Sequence, residues 1–321
     1  MHPSKIFASF CAIALLVLVG HGAWSQTGRI IKLVVPYPAG GPGDTLARLL
    51  GEQVSRMKGP TIVVESRPGA SGRIGTEAVA RVSPDGSTLL IVANTLLIDP
   101  HVRKVSYDPL ISFEPICYLT NQPYILVTDS KSPYGTLADL LGAARANPGK
   151  LTVAGVGPAS TAQIAFEMLR HAANIDVTFV PFAGSAPAVT ALLGSHVTAA
   201  LVPHSVAAEH LKAGKLRAVV AASERRIEPL PDVPALAEFG FKGIDADLWL
   251  AVLAPAKTPK ESISELIRWF TAALQAPEVK EKLALQGQVP VGMCGADFGT
   301  HLRKQYDEYG RVIREAGIKV D

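Results

Sequence analysis

Ile30-Ile31-Lys32-Leu33-Val34-Val35-Pro36-Tyr37-Pro38-Ala39-Gly40-Gly41-Pro42-Gly43-Asp44 is the stretch on which the fold turns. Its Ile-, Leu- and Val-rich start reads as a buried strand over 30–35. Prolines and glycines then break the chain, and the apolar spacing that follows predicts an amphipathic helix over 44–56. A strand that runs through small residues into a helix leaves main-chain N–H groups unpaired at the helix start, where anions bind. Asp44, acidic at that start, is expected to cap the helix, with direct ligand contact as the alternative.

Upstream, residues 1–25 read as an export signal. Lys5 precedes an apolar run over 6–20, shorter than the ~20 apolar residues a membrane span needs. Ala23-Trp24-Ser25 puts small residues where a signal peptidase reads, which predicts cleavage before Gln26 and a soluble periplasmic product; an uncleaved anchor is the alternative. The net charge of +3, with 18% charged residues and no basic stripe, argues against a nucleic-acid partner. Beyond Cys11 in the apolar run, only Cys117 and Cys294 remain, which excludes a disulfide-dense scaffold. Two buried free thiols are expected, a single bridge being the alternative. No Cys-x-x-Cys, His-Glu-x-x-His or other ligand spacing occurs, so neither a metal nor another cofactor is expected.

Downstream, short apolar runs alternate with helical patterns. Strands are predicted over 61–65, 88–93, 124–128, 151–154, 177–180, 197–202 and 216–222, and helices over 75–82, 136–147, 160–173, 186–194 and 205–213. The strands lack strict alternation, which suits a parallel sheet buried on both faces in an α/β fold. The regularity lapses near 114–123 and 243–255, read as two passages between domains. One domain then comprises 26–123 plus 247–321, the other 124–246. The C-terminal piece reads as helical over 259–276, 277–286 and 296–316.

Ligands of parallel α/β sheets bind at the C-terminal strand ends. Three small-residue loops fall there: Pro38 to Asp44, Gly155 to Thr161 and Pro181 to Pro187. Such loops let a ligand approach the main chain, and Ser160, Thr161 and Ser185 add hydroxyl donors. Ser160 and Ser185 could instead only cap helices. Enzyme motifs are wanting. Gly155-Val156-Gly157-Pro158-Ala159-Ser160 lacks the third glycine of a dinucleotide fingerprint, Gly40 to Thr45 lacks the lysine of a phosphate loop, and no Gly-x-Ser-x-Gly elbow occurs. His204 follows the 197–202 strand on the side of the glycine loops.

With these residues in hand, the chain resembles the Bug family of extracytoplasmic solute receptors, the binding proteins of tripartite tricarboxylate transporters. The marks are Val34 to Asp44 as quoted, Val64-Glu65-Ser66-Arg67-Pro68-Gly69-Ala70-Ser71-Gly72, Ser83-Pro84-Asp85-Gly86, Val180-Pro181-Phe182-Ala183-Gly184-Ser185-Ala186-Pro187 and Leu230-Pro231-Asp232-Val233-Pro234. The resemblance implies a type II periplasmic-binding-protein fold: two α/β domains, two crossovers and a cleft that closes on a small carboxylate. It implies one wall from Tyr37, Pro38, Ala39, Gly40, Gly41 and Asp44, partly through water, and a polar loop at Asn94 and Thr95. From the second domain it implies carboxylate contacts by Gly157, Pro158, Ala159, Ser160 and Thr161, and by Gly184, Ser185 and Ala186. Trp249 matches an aromatic position near a crossover, or is a packed hinge-side residue.

Two departures stand out. Leu201-Val202-Pro203-His204 replaces polar residues that often include an acid, and Ala183 replaces a frequent lysine. Without an acid to pair an ammonium, the expected ligand is an apolar or aromatic carboxylate rather than an α-amino acid, with His204 as an added donor. The expected function is capture by a monomeric receptor for transient delivery to membrane permease subunits. A ligand sensor for a receptor kinase and an exported hydrolase or isomerase are the alternatives.

Overall fold

The computed structural model describes residues 29–157, 160–244 and 246–315. The export-signal reading and the loop residues Pro158 and Ala159 lie outside them. In chain order the first elements are β1 (Ile30–Val35), α1 (Pro42–Arg56), β2 (Thr61–Ser66), α2 (Arg73–Ala80), β3 (Thr88–Ala93), α3 (Thr95–Val102) and β4 (Phe113–Asp129). Then come α4 (Leu137–Ala146), β5 (Thr152–Val156), α5 (Thr161–Ala172), β6 (Thr178–Phe182), α6 (Ser185–Leu193), β7 (Ala199–Pro203), α7 (His204–Lys212) and β8 (Leu216–Ala221). The chain ends with β9 (Asp247–Pro255), α8 (Lys260–Gln275), α9 (Pro277–Leu285), β10 (Val289–Cys294) and α10 (Gly295–Glu315).

α1 begins at Pro42 rather than Asp44, because proline lacks an N–H and suits the first helical turn. The expected Asp44 cap is thereby corrected. Gly41 holds the cap position without a side-chain bond. Asp44 sits buried inside the first turn, where its carboxylate accepts the Gly40 N–H at 3.1 Å and two Arg48 N–H groups at 3.0 Å.

β1 pairs in parallel with β2 and β3, as β5 does with β6 and β7. The remaining pairings correct the all-parallel expectation: β9 runs antiparallel between β3 and β4, and β4 pairs antiparallel with β7, β8 and β10. β4 serves two sheets. It pairs with β9 as far as Pro123 opposite Asp247, and from Tyr124 onward it pairs with β7. The chain thus leaves the first sheet along β4 and returns through β9. This mixed α/β architecture, with two passages between two sheets, is the one the resemblance implies.

The front of β4, β9 and β10 stand where the sequence reads as passage or loop. Pro115, Pro123 and Pro290 lie in these strands, and proline is tolerated in a sheet only at edges or bulges. β4 shifts register beside Pro115 and again after Tyr118. α3 likewise carries Pro100 inside it. β10 pairs Cys294 with Cys117, and the two are joined by a disulfide. The free-thiol expectation is corrected; no local pattern could bring together residues separated by 177 positions. α10 packs on α3 and β4, and α8 on α1 and β4. Among the described residues no helix is long and apolar enough to cross a membrane.

Candidate functional site

A cleft of about 600 Å³ opens where the strand ends of the two sheets face each other. Four helix starts meet there. From the first sheet come Gly41, Pro42 and Gly43 at α1 and Thr95 at α3; from the second come Ser160 and Thr161 at α5, and Gly184, Ser185, Ala186 and Pro187 at α6. The first-turn N–H groups of a helix have no intrahelical acceptor and carry about half a positive charge. Neither α1 nor α6 has a side chain capping its first turn. Tyr37, Pro38, Ala39, Ala93, Tyr124, Val156, Leu248 and Leu250 complete the described wall. No charged side chain is among these residues.

The hydroxyls of the wall are differently engaged. Tyr37 Oη accepts the Ala93 N–H at 3.0 Å and lies 2.8 Å from Thr95 Oγ1. If the phenol donates to Thr95, the threonine proton is free to point into the cleft. Burial pushes the Tyr37 phenol up to about 12, against the hydrogen bonds from Thr95 and Ala93, so it stays neutral. Burial also raises Tyr124. Ser160 is already occupied: its hydroxyl donates to the Val156 carbonyl at 2.7 Å and accepts the Gln163 N–H at 3.1 Å. It is a helix cap whose proton is spent. Thr161 and Ser185 are buried at the same wall.

Five expected site residues lie elsewhere. Asp44 and Gly40 bind each other beside α1, outside the cleft wall. Asn94 is a structural tie. It donates to the Asp247 carbonyl at 3.0 Å and to Tyr309 Oη at 2.6 Å, and it accepts the Trp249 N–H at 3.1 Å. Gly157 sits at the cleft edge, its N–H donated to the Phe182 carbonyl. His204 is buried against Gly287, its Nδ1 without a hydrogen-bond partner among the described residues. Burial lowers its pKa, against an opposing influence of the Gln286 backbone. Trp249 is core, packed near Tyr118.

Sequence reading missed Ala93, Tyr124, Leu248 and Leu250, and gave Val156 only as part of the Gly155 to Thr161 loop. A signal did exist: Tyr124 starts a predicted strand at the first passage, and the leucines belong to the apolar run at the second. A second, apolar pocket lies under the second sheet, lined by core side chains such as Leu126, Leu140 and Phe166. Its threonines, Thr152 and Thr198, hydrogen-bond each other, and Arg170, also in its lining, is paired with Glu167.

Known proteins share this fold. Residues 46–318 match the family described as tripartite tricarboxylate transporter family receptor. Protein BugT of Bordetella pertussis is 32% identical over 98% of this chain and 96% of its own length. The solved structure of Rpa4515 from R. palustris with adipate has a TM-score of 0.86 at 30% identity, covering 92% of this chain and 99% of its own. That of MatC from Rhodopseudomonas palustris with bound malate has a TM-score of 0.82 at 28% identity, covering 89% and 99%. Extent and likeness together leave one assignment: the chain belongs to the tripartite tricarboxylate transporter receptor family and has the periplasmic-binding-protein fold.

Proposed function

We propose that this protein is a periplasmic receptor that captures a small carboxylate with an apolar body and presents it to membrane permease subunits. The observation that carries the reading is the convergence of four helix starts, two from each sheet, on one cleft whose described wall holds no charged side chain. A carboxylate there would accept N–H bonds from α1 and α6 and hydroxyl bonds from Thr95, Thr161 and Ser185, each worth about 1.5–3 kcal/mol. Its hydrocarbon part would lie on Tyr124, Val156, Leu248 and Leu250. Lobes 26–123 plus 247–321 and 124–246 would close about it, because one guest satisfies donors from both. Adipate and malate in the two relatives support the ligand class.

An ammonium in this cleft would meet no carboxylate among the described wall residues, which disfavours α-amino acids. A hydrolase would need a base beside a nucleophile; the described wall holds no His, Asp or Glu, and the Ser160 proton is held by a carbonyl. Titration calorimetry on ligand-stripped protein with adipate, malate, benzoate, aspartate and glutamate tests the proposal. Micromolar binding of adipate or benzoate is expected. Tighter binding of aspartate or glutamate refutes the ligand class, and no binding of any acid refutes the receptor reading.

A further inference from the structure

Three glycines lie where loops of the two sheets meet, and each faces a side chain from the opposite half. A Cβ on Gly157, just after β5, would come within 3.1 Å of Ser71 Oγ, from the loop after β2. A Cβ on Gly184 would sit 3.3 Å from Pro38 Cγ. Gly287, between α9 and β10, has no room for one, because the His204 imidazole of α7 fills that space. Two of these glycines belong to the half built on β5, β6 and β7. The third belongs to the half built on β1, β2 and β3. Other glycines, such as Gly75 and Gly155, make equally tight contacts inside one half; these three make theirs across the seam.

Ser71 is presented by an unusual turn. Gly69, Ala70, Ser71 and Gly72 have φ of 140°, 49°, 57° and 101°. L-residues such as Ala70 and Ser71 rarely adopt this left-handed backbone, and where they do the surroundings must hold it; such strain gathers at ligand clamps. Here Gly72 rests against the Tyr37 ring, where a Cβ would come within 2.9 Å of Cε1. The turn is thus braced on a wall residue of the cleft while its serine reaches across to Gly157.

We propose that Gly157, Gly184 and Gly287 are closure seats, whose missing side chains let Ser71, Pro38 and His204 dock across the seam. Ser71 is then a positioning residue that sets the closed width of the cleft. This rests on the two-lobe capture reading above. The physics is a matter of tolerance. Hydrogen bonds weaken once they stretch more than a few tenths of an ångström beyond ~2.7–3.2 Å. A methyl at Gly157 or Gly184 would push its neighbour by a few tenths of an ångström, the scale on which such bonds begin to weaken, so a guest spanning both lobes would be held less well.

The test uses Gly157→Ala and Gly184→Ala, since neither residue has the left-handed backbone that would strain alanine. The probe is adipate, titrated by calorimetry, with pulsed EPR distances between labels on E52C and K212C, one in each half. Gly157→Ala should weaken adipate binding by about tenfold, the scale of a mild overpacking cost, and lengthen the label distance. Adding Ser71→Ala should restore both to within about threefold, an outcome that mere destabilisation would not give. Unchanged affinity and distance in Gly157→Ala, or a double variant no better than the single one, overturns the proposal. Should Gly157→Ala fail to fold, Gly184→Ala carries the same two readouts, and no change in either overturns the proposal. If the native protein binds no acid, the capture reading fails by itself. The label distance in ligand-free protein then decides the seats: lengthening in Gly157→Ala reversed by Ser71→Ala supports them, and its absence overturns them.

Discussion

Asn94 and Thr95 are neighbours with opposite jobs, and separating them is the sharpest test of the site. Asn94 is 1% exposed and binds the Asp247 carbonyl, Tyr309 Oη and the Trp249 N–H, fastening the end of β3 to the start of β9 and to α10. Asn94→Ala leaves a buried carbonyl and a buried N–H without their partner. At about 1–2 kcal/mol for each such group, the loss is about 3 kcal/mol. For a chain of this size that lowers Tm by roughly 6–12 °C. Thr95 lines the cleft and bonds Tyr37 Oη at 2.8 Å. Thr95→Val keeps its shape and removes one donor to a charged guest, at about 1.5–3 kcal/mol, so adipate binding should fall by about ten- to a hundredfold. Circular dichroism melts and calorimetric titration read the two effects separately. Asn94→Ala should keep affinity within about threefold, and Thr95→Val should keep Tm within a few degrees. If Asn94→Ala instead abolishes binding without lowering Tm, Asn94 is a ligand contact and the placement of the cleft wall is wrong.

Reducing the Cys117–Cys294 bridge frees a loop spanning 177 positions; the chain-entropy estimate is about 5 kcal/mol, to be read as a drop in urea midpoint with dithiothreitol that Cys294→Ala reproduces. His204 has a pKa depressed chiefly by burial, so its neutral form suits the folded state. The stability it contributes is whole above about pH 6.5 and is lost as pH falls from there through the lowered value; His204→Gln should flatten that part of the pH–Tm curve relative to native protein, in which His101 and His301 still titrate. Asp44 is raised by burial but lowered more by Arg48 and the Gly40 N–H. The stability it contributes is present above the ordinary carboxylate range and lost as pH falls through the depressed value. Asp44→Asn should therefore cost about 1 kcal/mol at pH 7, discounted for the exposed Arg48, and leave adipate affinity unchanged by calorimetry.

How far the sequence speaks depends on whether the deciding contact is local. β1, β3 and most helices of the two sheets announce themselves through apolar runs and breakers, because strand and helix periodicities are properties of short windows. β9 and the front of β4 do not. Their apolar residues were visible, but Pro115 and Pro123 disguised the front of β4, and only long-range pairing reveals that a bulge beside Pro115 accommodates proline. In the cleft, Tyr37, Pro38, Thr161, Gly184 and Ser185 were legible as loop residues at strand ends. Asn94 was misplaced because nothing in Asn94-Thr95 says which side chain turns to β9 and which to the cleft. His204 was misplaced for a related reason. A histidine after a strand end points toward ligand in the sequence, whereas the space that receives it is created by Gly287, far along the chain.

On the capture reading, the missing countercharge explains why two lobes would be needed. An arginine clamp would hold a carboxylate from one side and bind almost as well in an open form. Here α1 and α3 supply one set of donors, α5 and α6 the other, and no described wall residue carries a positive side chain. Each helix start carries roughly half a unit of positive charge, so a guest held between both lobes meets more of this field than either lobe offers alone. These donors are main-chain groups anchored to strands and cannot swing toward a guest as a long side chain can. On the proposed capture reading, movement of the lobes would assemble them. Affinity would then be inseparable from closure, and a partner that recognised the closed form would read occupancy.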